Sequence, residues 1–138
     1  MANTYTQLYI QMVFAVQNRS CYIGKEWETE LYKYITGIVQ NNNHKLIAIN
    51  GVANHIHIFI GYRPHQLIPD LLQDIKGSSS KCLPAGQAGI NKMGFIKYKF
   101  NWQGGYAAFS YSHSHIANVA KYIENQKIHH KRVTFKEE

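Results

Sequence analysis

The sequence predicts an α+β fold built on a four-stranded antiparallel sheet, with helices packed on one face of that sheet. Residues 5–16 are rich in β-branched and aromatic types, as is typical of a strand. Over residues 25–41, apolar side chains recur at helical spacing instead. The elements that follow complete the order β-α-β-β-α-β-α, which favours this layered arrangement. With 138 residues, the chain is long enough for one domain with a proper core.

A helix and a hairpin follow the first strand. Three consecutive asparagines end the helix, because this residue type favours turns. A short strand over residues 45–50, a turn over 51–54 and a second strand over 55–62 then form the hairpin.

The middle of the chain combines a second helix with an irregular stretch. Pro64 interrupts the chain before a short helix over residues 66–75. Residues 77–94 are rich in glycine and serine and contain Pro84, so we interpret them as a loop-like insertion. The insertion belongs to a single domain that spans residues 1–138.

The last part of the chain adds a strand and a long helix. The strand is predicted over residues 106–111, and Ser112 or Ser114 can cap a final helix over residues 113–129. Residues 130–138 form a polar, basic tail. The complete order predicts a ferredoxin- or RRM-like sandwich, whose second sheet face is open.

The charge of the chain points to an anionic partner. Fifteen lysines and arginines stand against eight acidic residues, which gives a net charge of +7. No acidic residue lies between Glu30 and Asp70, and none lies between Asp74 and Glu124. A polyanion such as nucleic acid is the natural partner of such a surface. The scarcity of acids also argues against chemistry that depends on paired carboxylates.

Two cysteines and the absence of long apolar runs define the expected compartment. Cys21 and Cys82 are far apart in sequence and form no CxxC pair, so we expect two reduced thiols. No run approaches the roughly 20 apolar residues that span a bilayer, and the N-terminus does not resemble a signal peptide. We expect a cytoplasmic protein without a membrane partner.

The strand over residues 55–62 carries the most informative pattern. Successive side chains of a strand point to opposite faces, so His55, His57 and Phe59 share one face. The opposite face can bury into the core, because it consists of Ile56, Ile58 and Ile60. A histidine-bearing face is unusual for a core, and two imidazoles on it are a ready pair of metal ligands.

The final helix adds a second polar pair. Tyr122 and Gln126 are four residues apart, so they lie one turn apart on the same helix face. A tyrosine can act as a covalent nucleophile, and a glutamine carbonyl oxygen can bind a hard metal ion. The adjoining face is apolar and predicts burial of Ile116, Val119, Ala120 and Ile123.

The two pairs together resemble a known constellation. His55-Ile56-His57 and the later Tyr122 and Gln126 resemble the HUH superfamily of single-strand DNA nucleases, which carry two histidines around a bulky apolar residue. Within it, the chain is similar to the single-tyrosine transposases of bacterial insertion sequences and their REP-associated relatives. Residues 100–112 also resemble the segment that leads into the catalytic helix of that family.

The resemblance implies a specific chemistry for these residues. His55, His57 and Gln126 would bind a divalent metal, either Mg²⁺ or Mn²⁺. Tyr122 would attack a scissile phosphate in single-stranded DNA, which leaves a 5′-phosphotyrosine and a free 3′-hydroxyl. A second transesterification would rejoin strands in DNA recombination. The DNA would carry a hairpin element, the protein would be a homodimer, and the last helix would be the C-terminal catalytic helix.

Basic and aromatic side chains are candidates for DNA contacts. Lysines and arginines bind phosphates, and the candidates are Arg63, Lys76, Lys81, Lys97, Lys99, Lys121, Lys127, Lys131 and Arg132. Aromatic rings can stack on bases, and the candidates are Tyr62, Trp102 and Tyr106.

Some features of the chain leave other interpretations open. His113 and His115 form a second His-x-His, which we interpret as a helix cap or phosphate contact. Tyr111 is a rival nucleophile, and Asn54 stands where many members of the resembled family carry an acid. A non-catalytic nucleic-acid-binding module of RRM-like fold is the main alternative. A histidine-triad nucleotide hydrolase would need a third histidine where Phe59 lies.

Overall fold

A four-stranded antiparallel sheet organises the protein. The computed structural model describes residues 5–16, 23, 25, 27–81 and 102–129. The strands are β1 (Leu8–Ala15), β2 (Lys45–Val52), β3 (His55–Tyr62) and β4 (Ala107–Tyr111). Their order across the sheet is β2-β3-β1-β4, and each neighbouring pair is antiparallel. The α+β fold with a four-stranded antiparallel sheet is therefore confirmed.

Helices lie on both faces of the sheet: two pack on one face, as predicted, and the last helix covers part of the face that was predicted to be open. In chain order they are α1 (Glu28–Asn41), α2 (Ile68–Lys81), a 3₁₀ turn (His113–His115), α3 (Ile116–Glu124) and α4 (Gln126–His129). The first two helices contact each other, whereas α3 contacts β2 and β3 and α4 contacts β2. Within the described residues, no helix has the length and apolar character to cross a bilayer.

One apolar cluster lies on each face of the sheet. The larger cluster takes the even-numbered side chains of β1 and β3, such as Met12 and Ile58, and packs them against α1 and α2. The smaller cluster lies on the other face and joins Ala48 and Phe59 to Val119 and Ile123 of α3. The predicted apolar side of the last helix is therefore buried, while the histidine face lies under α3.

The hairpin of β2 and β3 aligns polar side chains on the histidine face. A register shift between Leu46 and Ala48 inserts one extra residue into β2. Beyond it, Asn50 lies opposite His57. A Cβ at Gly51 would collide with the backbone of His55, so this close approach requires glycine. The turn is also shorter than predicted, because the ladder runs to Val52.

Helix α2 is longer than the sequence pattern predicted. The prediction of a loop from residue 77 is wrong for residues 77–81, which are helical. Ser79 explains the extension: its side chain is fully buried, and its Oγ accepts a hydrogen bond of 2.8 Å from Trp102 Nε1. A contact from a distant residue thus stabilises a segment whose composition favours a loop. The rest of the proposed insertion, residues 82–94, lies outside the described residues.

The final helix is interrupted rather than continuous. The predicted helix over residues 113–129 begins as the 3₁₀ turn and breaks at Asn125, where α3 ends and α4 begins. Neither Ser112 nor Ser114 caps it in the expected way; their hydroxyl groups lie 3.0 Å apart. The basic tail over residues 130–138 lies outside the described residues.

Candidate active site

The two strand histidines lie together inside the protein. Their ring centroids are 5.1 Å apart, and both rings are almost fully buried, at 0% exposure for His55 and 4% for His57. On either side of His57, β1 contributes Val13 and β2 contributes Asn50. The alternation that predicted a shared face for the histidines therefore holds.

Amide oxygens fix the tautomer of both imidazoles. His55 Nδ1 lies 2.8 Å from Asn54 Oδ1, and His57 Nδ1 lies 2.7 Å from Gln11 Oε1. Because an amide oxygen only accepts, each Nδ1 carries the proton and donates it. The lone pair of each neutral ring then lies on Nε2, which is the form that binds a metal. Asn54 thus fills the orienting position without adding a charge.

Gln11 extends this arrangement to the edge strand. Its Nε2 donates a hydrogen bond of 2.9 Å to Tyr111 Oη, while its Oε1 accepts from His57. The side chain is 4% exposed. The sequence analysis missed Gln11, although a polar residue in the middle of an apolar strand was a usable signal.

The last helix brings its polar pair to the same face of the sheet. The ring of Tyr122 stands nearly perpendicular to His57, at 83°, with centroids 6.0 Å apart. Gln126 follows one turn later and is fully buried. Its Oε1 has no hydrogen-bond partner among the described residues, whereas its Nε2 is 3.4 Å from the backbone oxygen of Tyr122.

Two histidines alone offer a divalent metal few protein ligands, so the fit of such a metal depends on whether Gln126 also binds it. No group of three or more His, Cys, Asp or Glu side chains is placed to hold a metal in the part of the chain that the structure describes. The predicted ligands are the two imidazoles of His55 and His57 and the buried amide oxygen of Gln126. All three are neutral, so a bound cation would keep its charge for an anionic substrate. Nitrogen ligands suit Mn²⁺ better than Mg²⁺.

A cleft of about 610 Å³ opens beside these residues. Its walls come from β1, β3, β4, the 3₁₀ turn and α3, and its lining consists of Gln11, Val13, His57, Ala107, Phe109, Tyr111, His115, Asn118, Val119 and Tyr122. The cleft exists because α3 covers the β2–β3 half of the sheet. Tyr122 is 37% exposed, so a molecule in the cleft can reach it.

Two of the candidate DNA-binding lysines make contacts within the protein. Lys127 Nζ lies 3.2 Å from a carboxylate oxygen of Glu28 and 2.9 Å from Asn50 Oδ1. Lys76 Nζ donates to the backbone oxygens of Gln103 and Gly105, at 3.0 and 2.6 Å. Burial lowers the pKa of the Lys76 ammonium.

The other predicted cations divide into exposed and undescribed residues. Arg63 and Lys121 are exposed. Lys81 ends α2, and its side chain is outside the described part of the structure. The remaining four lie outside the described residues and are Lys97, Lys99, Lys131 and Arg132.

The second histidine pair is separate from the first. His113 Nδ1 lies 3.2 Å from Tyr9 Oη, and His115 Nδ1 lies 2.7 Å from Ser112 Oγ. Both side chains are exposed, and His115 lines the cleft. The rival nucleophile Tyr111 accepts the hydrogen bond from Gln11.

The aromatic candidates are largely used in packing. Tyr62 stacks on His44, with ring centroids 5.3 Å apart and an angle of 8° between the planes. Trp102 packs edge-on against Phe14 at 4.8 Å. Tyr106 remains exposed, but the cleft contains Phe109, which the sequence analysis did not single out.

Comparison with known proteins gives the family. The ISDra2 transposase TnpA of Deinococcus radiodurans is 24% identical over 120 residues, which are 87% of this chain and 84% of that protein. A crystal structure of a candidate transposase from Deinococcus radiodurans has a TM-score of 0.66 at 21% identity and covers 91% of this chain and 96% of its own. A REP-associated tyrosine transposase, solved bound to a REP hairpin, has a TM-score of 0.60 at 13% identity, with coverages of 96% and 76%. These two structures share the fold. The family model described as "Transposase IS200 like" matches residues 4–126, so this chain belongs to the IS200-like transposases.

Proposed function

We propose that this protein is a metal-dependent transposase that cleaves and rejoins single-stranded DNA through a 5′-phosphotyrosine on Tyr122. Membership of a transposase family makes it a DNA-processing protein. The observation that supports the finer proposal is the buried Gln126 Oε1, which lacks a hydrogen-bond partner among the described residues. It lies one turn from a tyrosine whose ring faces His57.

The proposed metal ligands are His55, His57 and Gln126. The hydrogen bonds from both Nδ1 atoms to amide oxygens support this assignment, because they leave the lone pairs on the Nε2 atoms. A bound Mg²⁺ or Mn²⁺ would polarise the scissile phosphate and stabilise the charge that develops on it.

Tyr122 is the proposed nucleophile. Its oxygen forms a bond to phosphorus while the bond from phosphorus to the 3′-oxygen breaks. The phenol proton is lost, and the departing 3′-oxygen gains one to become a hydroxyl. The covalent bond conserves the phosphodiester energy, so the reverse attack by a 3′-hydroxyl can rejoin strands without ATP.

The proposed substrate is single-stranded DNA with a hairpin element. Its support is the net charge of +7 and the REP hairpin bound to one structural relative. A cytoplasmic homodimer completes the proposal, as the sequence resemblance implies. Light scattering that gives a single-chain mass would contradict the dimer alone.

A denaturing gel tests the chemistry. The protein is incubated with Mn²⁺ and labelled single-stranded DNA from the ends of its own element. We expect a covalent band with the intact protein and none with Tyr122→Phe or His57→Ala. Tyr106→Phe is the matched control, because Tyr106 is 44% exposed and lies outside the cleft lining, so this variant should retain the band. Salt-sensitive DNA binding without a band would favour the non-catalytic binding module.

A further inference from the structure

The cleft beside Tyr122 has an apolar floor. Val13 of β1 and Ala107 and Phe109 of β4 line it with aliphatic and aromatic surface. These side chains share the histidine face of the sheet, since Val13 pairs with both His57 and Ala107. Because α3 packs over β2 and β3, this half of the sheet stays accessible.

Phe109 is the most unusual member of the floor. It is 51% exposed, although its ring is large and carries no polar group. Leaving apolar surface in water costs about 25 cal/mol per Å². A phenylalanine exposed inside a concave site, rather than on a convex surface, offers a flat face to a ligand.

The rim of the cleft is polar. Asn118 and His115 line it on the side of the last helix, and Tyr111 lines it on the side of the sheet. Asn118 lies four residues before Tyr122, so both point from the same helix face. An asparagine amide carries hydrogen-bond donors and an acceptor, so it can form paired hydrogen bonds with the edge of a base.

We propose that this cleft is a subsite for one unpaired nucleobase, which stacks on Phe109 and presents its edge to Asn118. The subsite rests on the proposed function, because it holds the nucleotide next to the phosphate that Tyr122 attacks. A flat aromatic ligand fits an apolar floor with a polar rim, and the +7 charge of the chain selects a polyanionic strand. Pockets of about 300–1,000 Å³ enclose ligands of this class, and this one measures about 610 Å³.

The test separates the contribution of bases from that of phosphates. Affinities are measured for a short oligothymidylate and for an abasic strand of the same length, in a Tyr122→Phe background that prevents cleavage. Stacking of one base predicts that Phe109→Ala lowers the ratio of the two affinities about 5- to 150-fold. Phe109→Tyr should keep the ratio. Tyr106→Ala is the matched control, because Tyr106 is 44% exposed and lies outside the cleft lining.

Photocrosslinking gives a second, independent readout. A strand substituted with iodouracil should crosslink at Phe109, and this crosslink should persist in the Tyr106→Ala protein. An unchanged affinity ratio in Phe109→Ala would overturn the subsite, even if Tyr122 forms a covalent adduct. Conversely, a Phe109-dependent ratio without any covalent adduct would retain the subsite and remove the proposed nuclease chemistry.

Discussion

At the scale of single residues, Gln11 is the central connection of the candidate site. One amide group accepts from His57 Nδ1 and donates to Tyr111 Oη, at 2.7 and 2.9 Å. Its two ends are not equivalent, so the orientation of the amide decides which nitrogen of His57 carries the proton. With the oxygen toward His57, the ring is in the metal-binding tautomer.

Replacing Gln11 by leucine should therefore weaken metal binding. Leucine is similar in size but leaves the buried Nδ1–H of His57 without its acceptor. Orienting groups of this kind are worth about 10- to 100-fold in metal affinity. We expect a loss of that size for Gln11→Leu in a Mn²⁺ titration followed by electron paramagnetic resonance.

Gln11→Glu provides the matched control for this prediction. A carboxylate also accepts from Nδ1–H, and the phenol of Tyr111 can then donate to its second oxygen. Mn²⁺ affinity should be retained, and ¹⁵N shifts of the metal-free protein should show the same tautomer of His57. Equal affinities for all three proteins would contradict the positioning role of Gln11.

The sequence predicted the two histidines of the site but not the side chains that surround them, such as Gln11. His55 and His57 follow from the alternation within one strand, which is a local pattern. Gln11 is 46 residues away from His57 and reaches it only through pairing of β1 with β3. Phe109 and Asn118 likewise line the same cleft from two different elements, β4 and α3. Such proximity depends on the order of the strands in the sheet, and the hydrophobic periodicity within a single element does not reveal that order.

At the scale of elements, His44 joins the connection between α1 and β2 to the end of β3 and the segment that follows it. Its ring is 4% exposed and stacks between Tyr62 and His65, at centroid distances of 5.3 and 5.0 Å. Nε2 bonds to Gln66 Oε1, and Nδ1 accepts from the backbone N–H of Arg63. Because Nε2 donates a hydrogen bond and Nδ1 accepts one, these contacts favour the neutral form of the His44 imidazole.

Acid should therefore weaken this junction. Burial lowers the pKa of the His44 imidazole in the folded protein. In the unfolded chain its pKa is about 6.5, so below that pH the unfolded state binds more protons. The contribution of neutral His44 to the free energy of unfolding is complete above about pH 6.5. It is lost as the pH falls through the pKa of His44 in the folded protein.

Urea denaturation across this pH range tests the effect. The free energy of unfolding of the wild type should exceed that of His44→Gln most at neutral pH. The difference should shrink as the pH falls, because glutamine does not titrate. His65→Gln is the matched control, since His65 stacks on the same ring but is itself exposed. A difference that is constant or grows toward acid pH would refute the prediction.

The extent of α2 shows why element boundaries escape the sequence. Gly77 and the serines after it are poor helix formers, which favours a loop. The buried Ser79 instead bonds to Trp102, a residue more than twenty positions later. Tertiary contact outweighs local propensity here, whereas the helix of residues 28–41 was predicted because its own apolar period is strong.

At the scale of the whole molecule, the positive charge is divided between two roles. Net charge follows from composition, but composition does not say which cations face a partner. Lys127 contacts Glu28, Asn50 and the backbone oxygen of Gly51, and its ammonium lies 5.7 Å from the ring centroid of Tyr32. Lys121 is exposed on the same terminal segment. We therefore expect Lys127 to have a structural role and Lys121 to be free to contact DNA.

Salt dependence of DNA binding should distinguish them. For single strands, log K falls with log salt by about 0.7 for each phosphate that a protein neutralises. We expect Lys121→Met to reduce this slope by about 0.7 on a short oligothymidylate. Lys127→Met should leave the slope unchanged and instead lower the free energy of unfolding by about 1 kcal/mol, a value that allows for the partial exposure of its ion pair.

The two variants are matched controls for each other, because both replace one lysine of the terminal helical segment by an uncharged chain of similar length. A slope that changes equally in both would mean that either lysine screens the strand through net charge alone. A slope that changes only in Lys127→Met would mean that DNA displaces Glu28 from Lys127. The expected pattern would locate a phosphate contact at Lys121 on α3, next to Tyr122. It would also mean that Lys127 holds α4, which begins at Gln126, against β2.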